Sequence, residues 1–145
     1  SAPDMGGSKR ANAYSRHLQA EMVLCYKLRK RPNVIEEMSV LGDVEGRNVV
    51  IIDDMIDTAG TLALASQKIH EKGALSIRAF ATHPILSGNA VRRIEDSPLT
   101  ELVVTDSVPF ENKSSKIKVL SIAEILANTI QAVNLNQSIS TNFVF

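Results

Sequence analysis

Short β-branched apolar runs alternate with longer segments whose apolar residues recur at helical spacing, and this predicts strands and helices in alternation almost to the end of the chain. Lys9 to Ala20 reads as a helix and Met22 to Tyr26 as a strand. After a charged loop come a short strand or hairpin arm over Val34 to Leu41, a turn over Gly42 to Gly46, and a strand over Asn48 to Ile52. Val49 to Ile52 are continuously apolar, as expected of a strand covered on both faces of a parallel sheet. Leu62 to Lys72 predicts a helix that Gly73 ends. The pattern continues with a strand over Ile77 to Ala81, a Thr82 to Gly88 loop, a helix over Asn89 to Glu95, a strand over Leu102 to Val104, a turn at Pro109 and a strand over Ile117 to Leu120. Ser121-Ile122-Ala123-Glu124 has the form of a capping box for a last helix, with Ile122, Ile125, Leu126, Ile130 and Val133 on one face. The order implies an α/β fold with a doubly wound, mostly parallel sheet flanked by helices.

The stretch from Asn48 to Leu62 carries the chemistry. A buried strand delivers its next residues to the carboxyl end of the sheet, where open α/β sheets bind ligands. Those residues are two acids, Asp53 and Asp54, followed by the small, hydroxyl-rich turn Asp57-Thr58-Ala59-Gly60-Thr61. Low bulk in that turn lets consecutive backbone N–H groups converge on an anion at the start of the next helix. Phosphate suits the helix N-terminus, whereas Asp53 and Asp54 would repel it and suit neutral hydroxyls, directly or through bound magnesium. One end of the segment therefore reads phosphate and the other a diol. A plain strand, turn and helix cap accounts for Asp57 or Thr58 but not for two further adjacent acids.

Composition narrows the setting. At 145 residues the chain is the size of one ordinary domain. Sixteen Lys plus Arg balance sixteen Asp plus Glu, so no overall field attracts nucleic acid. Cys25 is the only cysteine and sits in an apolar run, which makes it a buried structural thiol and suggests a reducing, cytoplasmic setting. No apolar run approaches the roughly 18 residues of a membrane span. The opening Ser1 to Gly7 has no initiator Met and reads like the loop after a missing strand, so a fragment is expected.

The acid pair and its turn resemble the phosphoribosyl pyrophosphate signature shared by type I phosphoribosyltransferases and ribose-phosphate pyrophosphokinases. Similarity to the second family spans nearly the whole chain: Pro3-Asp4-Met5-Gly6-Gly7, Arg31-Pro32-Asn33-Val34, Gly42-Asp43-Val44-Glu45-Gly46, Thr82 to Gly88 and Ser138-Ile139-Ser140 resemble its motifs in order. The resemblance implies the C-terminal half of such an enzyme, without the homologous N-terminal domain that supplies most of the ATP contacts. Full-length relatives are expected to move the β,γ-pyrophosphoryl group of magnesium-bound ATP onto ribose 5-phosphate. A homo-oligomer is also implied.

By the same resemblance Lys27 and Arg29 match a catalytic-loop Lys and Arg, and Asp4 matches an acid that helps hold Mg2+. Asp53, Asp54, Asp57, Thr58, Ala59, Gly60 and Thr61 match the ribose-phosphate site, and His83, Ser87, Ser138 and Ser140 match regulatory positions. Leu28 stands where many relatives carry a second basic residue. Simpler readings stand beside these: a solvated basic cluster for Lys27 and Arg29, and a helix cap or turn for Asp4. His17 and His70 fall on helices and receive no role. A nucleobase phosphoribosyltransferase is the main alternative, although no base-binding hood is recognisable. A non-catalytic regulatory relative is the other.

Overall fold

The computed structural model describes residues 1–28, 37–111, 114–140 and 143. The elements run α1 (Ser8–His17), β1 (Leu24–Leu28), β2 (Glu37–Leu41), β3 (Asn48–Ile56), α2 (Gly60–Glu71), β4 (Ser76–Pro84), α3 (Ala90–Asp96), β5 (Glu101–Thr105), β6 (Ile117–Leu120) and α4 (Ala123–Asn134). Strands β3, β4, β5 and β6 form a parallel sheet in that order, and β1 and β2 form an antiparallel hairpin. This is the α/β architecture that the alternating pattern predicts.

Ser1 and Ala2 join the hairpin to the sheet. The Ile52 N–H donates to the Ser1 carbonyl at 2.9 Å, while the Ala2 N–H donates to Val23 at 3.1 Å and the Cys25 N–H to Ala2 at 3.0 Å. These bonds follow parallel spacing on both sides, so β1 runs in the direction of β3 and ends at the same edge of the molecule. Cys25 is buried there, and burial raises its thiol pKa. That agrees with a structural thiol.

Alternation along the strands separates the two faces. Val49, Ile51, Ile77, Ala79, Ala81, Leu102 and Val104 pack against Leu62, Ala65 and Ile69 of α2 and Ala90 and Ile94 of α3 in one core. On the other face α1 covers only the β3 side: Tyr14 and Leu18 border a cleft of about 470 Å3 floored by Val50, Ile52, Phe80 and Val103. Both faces thus carry helices, but unequally. Among the described residues no helix is long and apolar enough to cross a membrane.

Several boundaries differ from the sequence pattern for physical reasons. β3 and β4 run on together to Ile56 and Pro84, so Asp53 and Asp54 lie within a strand rather than after it. Thr82, His83 and Pro84 likewise belong to β4, not to a loop. The Ser121 to Glu124 capping box does not form. Ser121 Oγ instead accepts the Ala123 N–H at 3.3 Å, and Asp106, from the loop before β6, accepts the Ile122 N–H at 2.9 Å. Residues on the apolar stripe of α4 remain exposed, Ile130 at 68% and Ile125 at 63%, and none of the helix is buried. The expected strand over Val34 to Leu41 lies partly outside the described residues; its remainder is β2, the second arm of a hairpin.

Candidate functional site

Asp53 and Asp54, near the carboxyl end of β3, sit in different environments. Asp53 is half-buried, its side chain 22% exposed, whereas Asp54 is 56% exposed. The Asp53 carboxylate accepts the Asp54 N–H at 2.9 Å, and the Asp54 carboxylate accepts the Met55 N–H at 3.0 Å. Arg10, projecting from α1, lies 3.5 Å from Asp53 and 3.1 Å from Asp54. Burial, reinforced by the carboxylates of Asp54 and Asp4, pushes the Asp53 pKa up to about 6. Hydrogen bonding with Asp53 and the Arg10 charge hold Asp54 below the usual carboxylate range.

Beyond the pair the chain turns into α2 through Ala59, which takes the left-handed conformation at φ +58. The N-cap is Ala59, whose side chain makes no cap hydrogen bond, so neither Asp57 nor Thr58 occupies the capping position. Asp57 is engaged elsewhere, its carboxylate accepting a short hydrogen bond from Ser87 Oγ. Asp4 and the continuous run 53–62 line one cavity of about 260 Å3. Eight residues named from sequence, Asp4, Asp53, Asp54, Asp57, Thr58, Ala59, Gly60 and Thr61, are thereby brought together. Asp4 also serves locally, accepting the Gly7 N–H at 3.1 Å ahead of α1. Gly60 is less crowded than a backbone-anion contact alone suggests, since an added Cβ would meet Arg93 Nη1 and Thr58 Oγ1 only at 3.7 Å.

This arrangement is the context for comparison with known proteins. The model of the phosphoribosyl synthetase-associated domain matches residues 4–144. The chain belongs to that family. It is 43% identical to the ribose-phosphate pyrophosphokinase of Porphyromonas gingivalis over 143 residues, covering 99% of this chain and 46% of that protein. The enzyme of the same name from Wolinella succinogenes is 45% identical, with the same coverage of 99% and 46%. Among solved structures, phosphoribosylpyrophosphate synthetase from Mycobacterium smegmatis aligns with TM-score 0.85 and 36% identity over 93% of this chain and 44% of that one. The phosphoribosyl synthetase-associated domain described here thus spans about half the length of the relatives it matches.

The remaining candidates are dispersed over this synthetase-associated domain. Lys27 is half-buried within β1, opposite Met38, rather than in a loop after the strand. Arg29 and the Arg31 to Val34 motif lie outside the described residues. The His83 ring nitrogen Nδ1 pairs with Ser107 Oγ at 2.9 Å, tying β4 to the segment after β5. Ser138 and Ser140 hydrogen-bond each other at 2.9 Å near the chain's end. Phe143 is 68% exposed, and Val144 and Phe145 lie outside the described residues.

Two residues at the site carry no local signal in the sequence. Arg10 reaches the acid pair from α1, and Arg93 Nη1 donates to the Thr58 carbonyl at 2.8 Å from α3. Each is an ordinary helical arginine until the fold sets its helix beside the signature. For magnesium, Asp4, Asp53 and Asp54 supply the hard oxygen donors such an ion needs. Among the described residues no three His, Cys, Asp or Glu side chains converge into a metal cage.

Proposed function

We propose that this chain is the C-terminal, ribose 5-phosphate-binding domain of a ribose-phosphate pyrophosphokinase, acting with an N-terminal homologous half that holds most of ATP. The observation that carries the reading is the single cavity in which the Asp53–Asp54 pair and the 57–61 turn stand side by side at the carboxyl end of the sheet. Its two ends have the complementary chemistry that a phosphorylated sugar requires.

In this reading the backbone N–H groups of the turn and the start of α2 hold the 5-phosphate, and Asp53 and Asp54 accept hydrogen bonds from the sugar hydroxyls. Holding both ends aims the anomeric hydroxyl at the β-phosphorus of ATP. The new oxygen–phosphorus bond forms as the bridge to the α-phosphorus breaks, and AMP leaves. Such transfer depends mainly on positioning and on cations that offset charge on the phosphoryl oxygens. Lys27 and Arg29 supply protein cations; for Lys27 this accords with β1 running toward the same edge of the molecule as β3. Magnesium, when bound, would supply further neutralisation, with Asp4 among the residues that would hold it. His83, Ser138 and Ser140 keep the regulatory roles that the resemblance implies, in a cytoplasmic homo-oligomer.

A titration of the chain with ribose 5-phosphate, with ribose as control, tests this reading. Backbone amide shifts concentrated in residues 53–62 and dependent on the phosphate are expected. Absence of any shift there at millimolar ribose 5-phosphate would remove the assignment.

A further inference from the structure

The segment after β4 grips the back of the turn through three successive carbonyls. The Leu86 N–H donates to the Ile56 carbonyl at 3.0 Å, and the Ser87 N–H to the Asp57 carbonyl at 3.1 Å. Arg93 Nη1 then donates to the Thr58 carbonyl at 2.8 Å. Peptide bonds among the described residues are trans, so each carbonyl points opposite to the N–H of the next residue. Drawing the carbonyls of Ile56, Asp57 and Thr58 toward residues 86–93 therefore turns the N–H groups of Asp57, Thr58 and Ala59 the other way. Neither Ser87 nor Arg93 lines the cavity formed by Asp4 and residues 53–62. They act from behind it.

We propose that Arg93, seconded by Ser87, is a positioning residue for phosphate recognition, holding the Asp57–Ala59 backbone with its N–H groups presented to the anion. This rests on the ribose 5-phosphate reading above and specifies how the loop is shaped before ligand arrives. An unsupported strand-to-helix turn would not stay in this form, because a left-handed alanine is disfavoured and successive N–H groups in extended chain alternate in direction. Arg93 bonds the carbonyl immediately before Ala59, where that disfavoured conformation begins. Ser87 adds a second hold through the Asp57 carboxylate, beyond its backbone bond. The serine singled out from sequence as regulatory thus receives a structural task at the substrate loop, and the arginine is one that the sequence pattern passes over.

The test uses the 145-residue chain, followed by amide NMR with ribose 5-phosphate as the probe. Arg93→Ala should weaken binding about tenfold, the loss typical of one charge-assisted hydrogen bond, and Ser87→Ala about twofold because its N–H remains. In the ligand-free chain Arg93→Ala should also move the Thr58 and Ala59 amides and lower the left-handed population that Ala59 coupling constants report. Adding Ala59→Gly to Arg93→Ala should restore at least threefold of the lost affinity, since glycine adopts positive φ without penalty. Wild-type affinity in Arg93→Ala, or no recovery with Ala59→Gly while the rest of the spectrum stays native, would overturn the positioning role. The ligand-free comparison separates the two readings. An arginine-dependent loop that ignores ribose 5-phosphate would sink the substrate assignment, whereas a binding loop indifferent to Arg93 would sink the positioning role alone.

Discussion

Asp53 and Asp54 are adjacent on β3, yet their proton affinities diverge: burial pushes Asp53 up to about 6, and hydrogen bonding with Asp53 together with Arg10 draws Asp54 down. A carboxyl with a raised pKa in the folded state binds its proton more tightly there than in the unfolded chain. Its contribution to stability is therefore fully present below the unfolded value of about 4, and is lost as pH rises through about 6. Asp54 has the opposite sign, stabilising above the unfolded value and losing that contribution as pH falls.

Asp53→Asn should accordingly make the chain more stable at pH 7, raising Tm by about 2 to 4 °C, the shift that roughly 1 kcal/mol produces at this length. The advantage should shrink toward pH 4, where wild-type Asp53 is already protonated. Thermal unfolding across pH 4 to 8 checks this, and equal Tm values at every pH would show that burial of the charge is not felt. Loss of ribose 5-phosphate binding in the same variant is the expected functional cost.

Ala59 and Gly60 should respond to substitution in the reverse of the order their side chains suggest. Ala59→Val places a β-branched residue at φ +58 and should cost about 1–3 kcal/mol. Gly60→Ala adds a Cβ that meets its neighbours at 3.7 Å and gains helix propensity, so its effect on stability should stay within about 0.5 kcal/mol or favour folding. Denaturant unfolding of both variants measures the difference.

In a full two-domain enzyme, Lys27→Ala and Arg29→Ala should each lower turnover by well over tenfold while leaving ribose 5-phosphate affinity within a few-fold. Both positions lie outside the 53–62 segment in sequence. Steady-state kinetics together with direct binding would separate the two effects, and wild-type turnover in the double variant would return the basic cluster to a solvating role.

The 145-residue chain alone should form no AMP from ATP, magnesium and ribose 5-phosphate, even where it binds the sugar phosphate as proposed. In-line transfer needs both reactants fixed within attack distance, and this chain corresponds to 46% of its relatives' length. Ribose 5-phosphate-dependent AMP release by the purified chain would locate the whole ATP site within it.

Ile130→Gln should change stability by no more than about 0.5 kcal/mol, in contrast to the several kcal/mol expected of a core residue. Ile130 is 68% exposed on a helix with no buried residue. A loss above about 2 kcal/mol in urea unfolding would mean that α4 packs on the domain in solution.

Local chemistry made the signature strand, the helix ended by Gly73 and the strand Ile117–Leu120 legible, because apolar periodicity and a terminating glycine act within a few residues. It also singled out the acids and small residues that meet in one cavity, since their types encode the chemistry wherever the chain takes them. Distance along the chain hid the rest. Ladder pairing with β4 extended β3 through the acids, an energy that Asp53 and Asp54 do not advertise in their own propensities. Asp106, 16 residues away, accepts the Ile122 N–H where the Ser121 to Glu124 box alone was expected to act. The stripe on α4 is visible in the sequence, but periodicity names an apolar face without naming what covers it. Arg10 and Arg93 became site residues only when packing set α1 and α3 beside the turn, because an arginine's role depends on which carboxylate or carbonyl the fold brings within its reach.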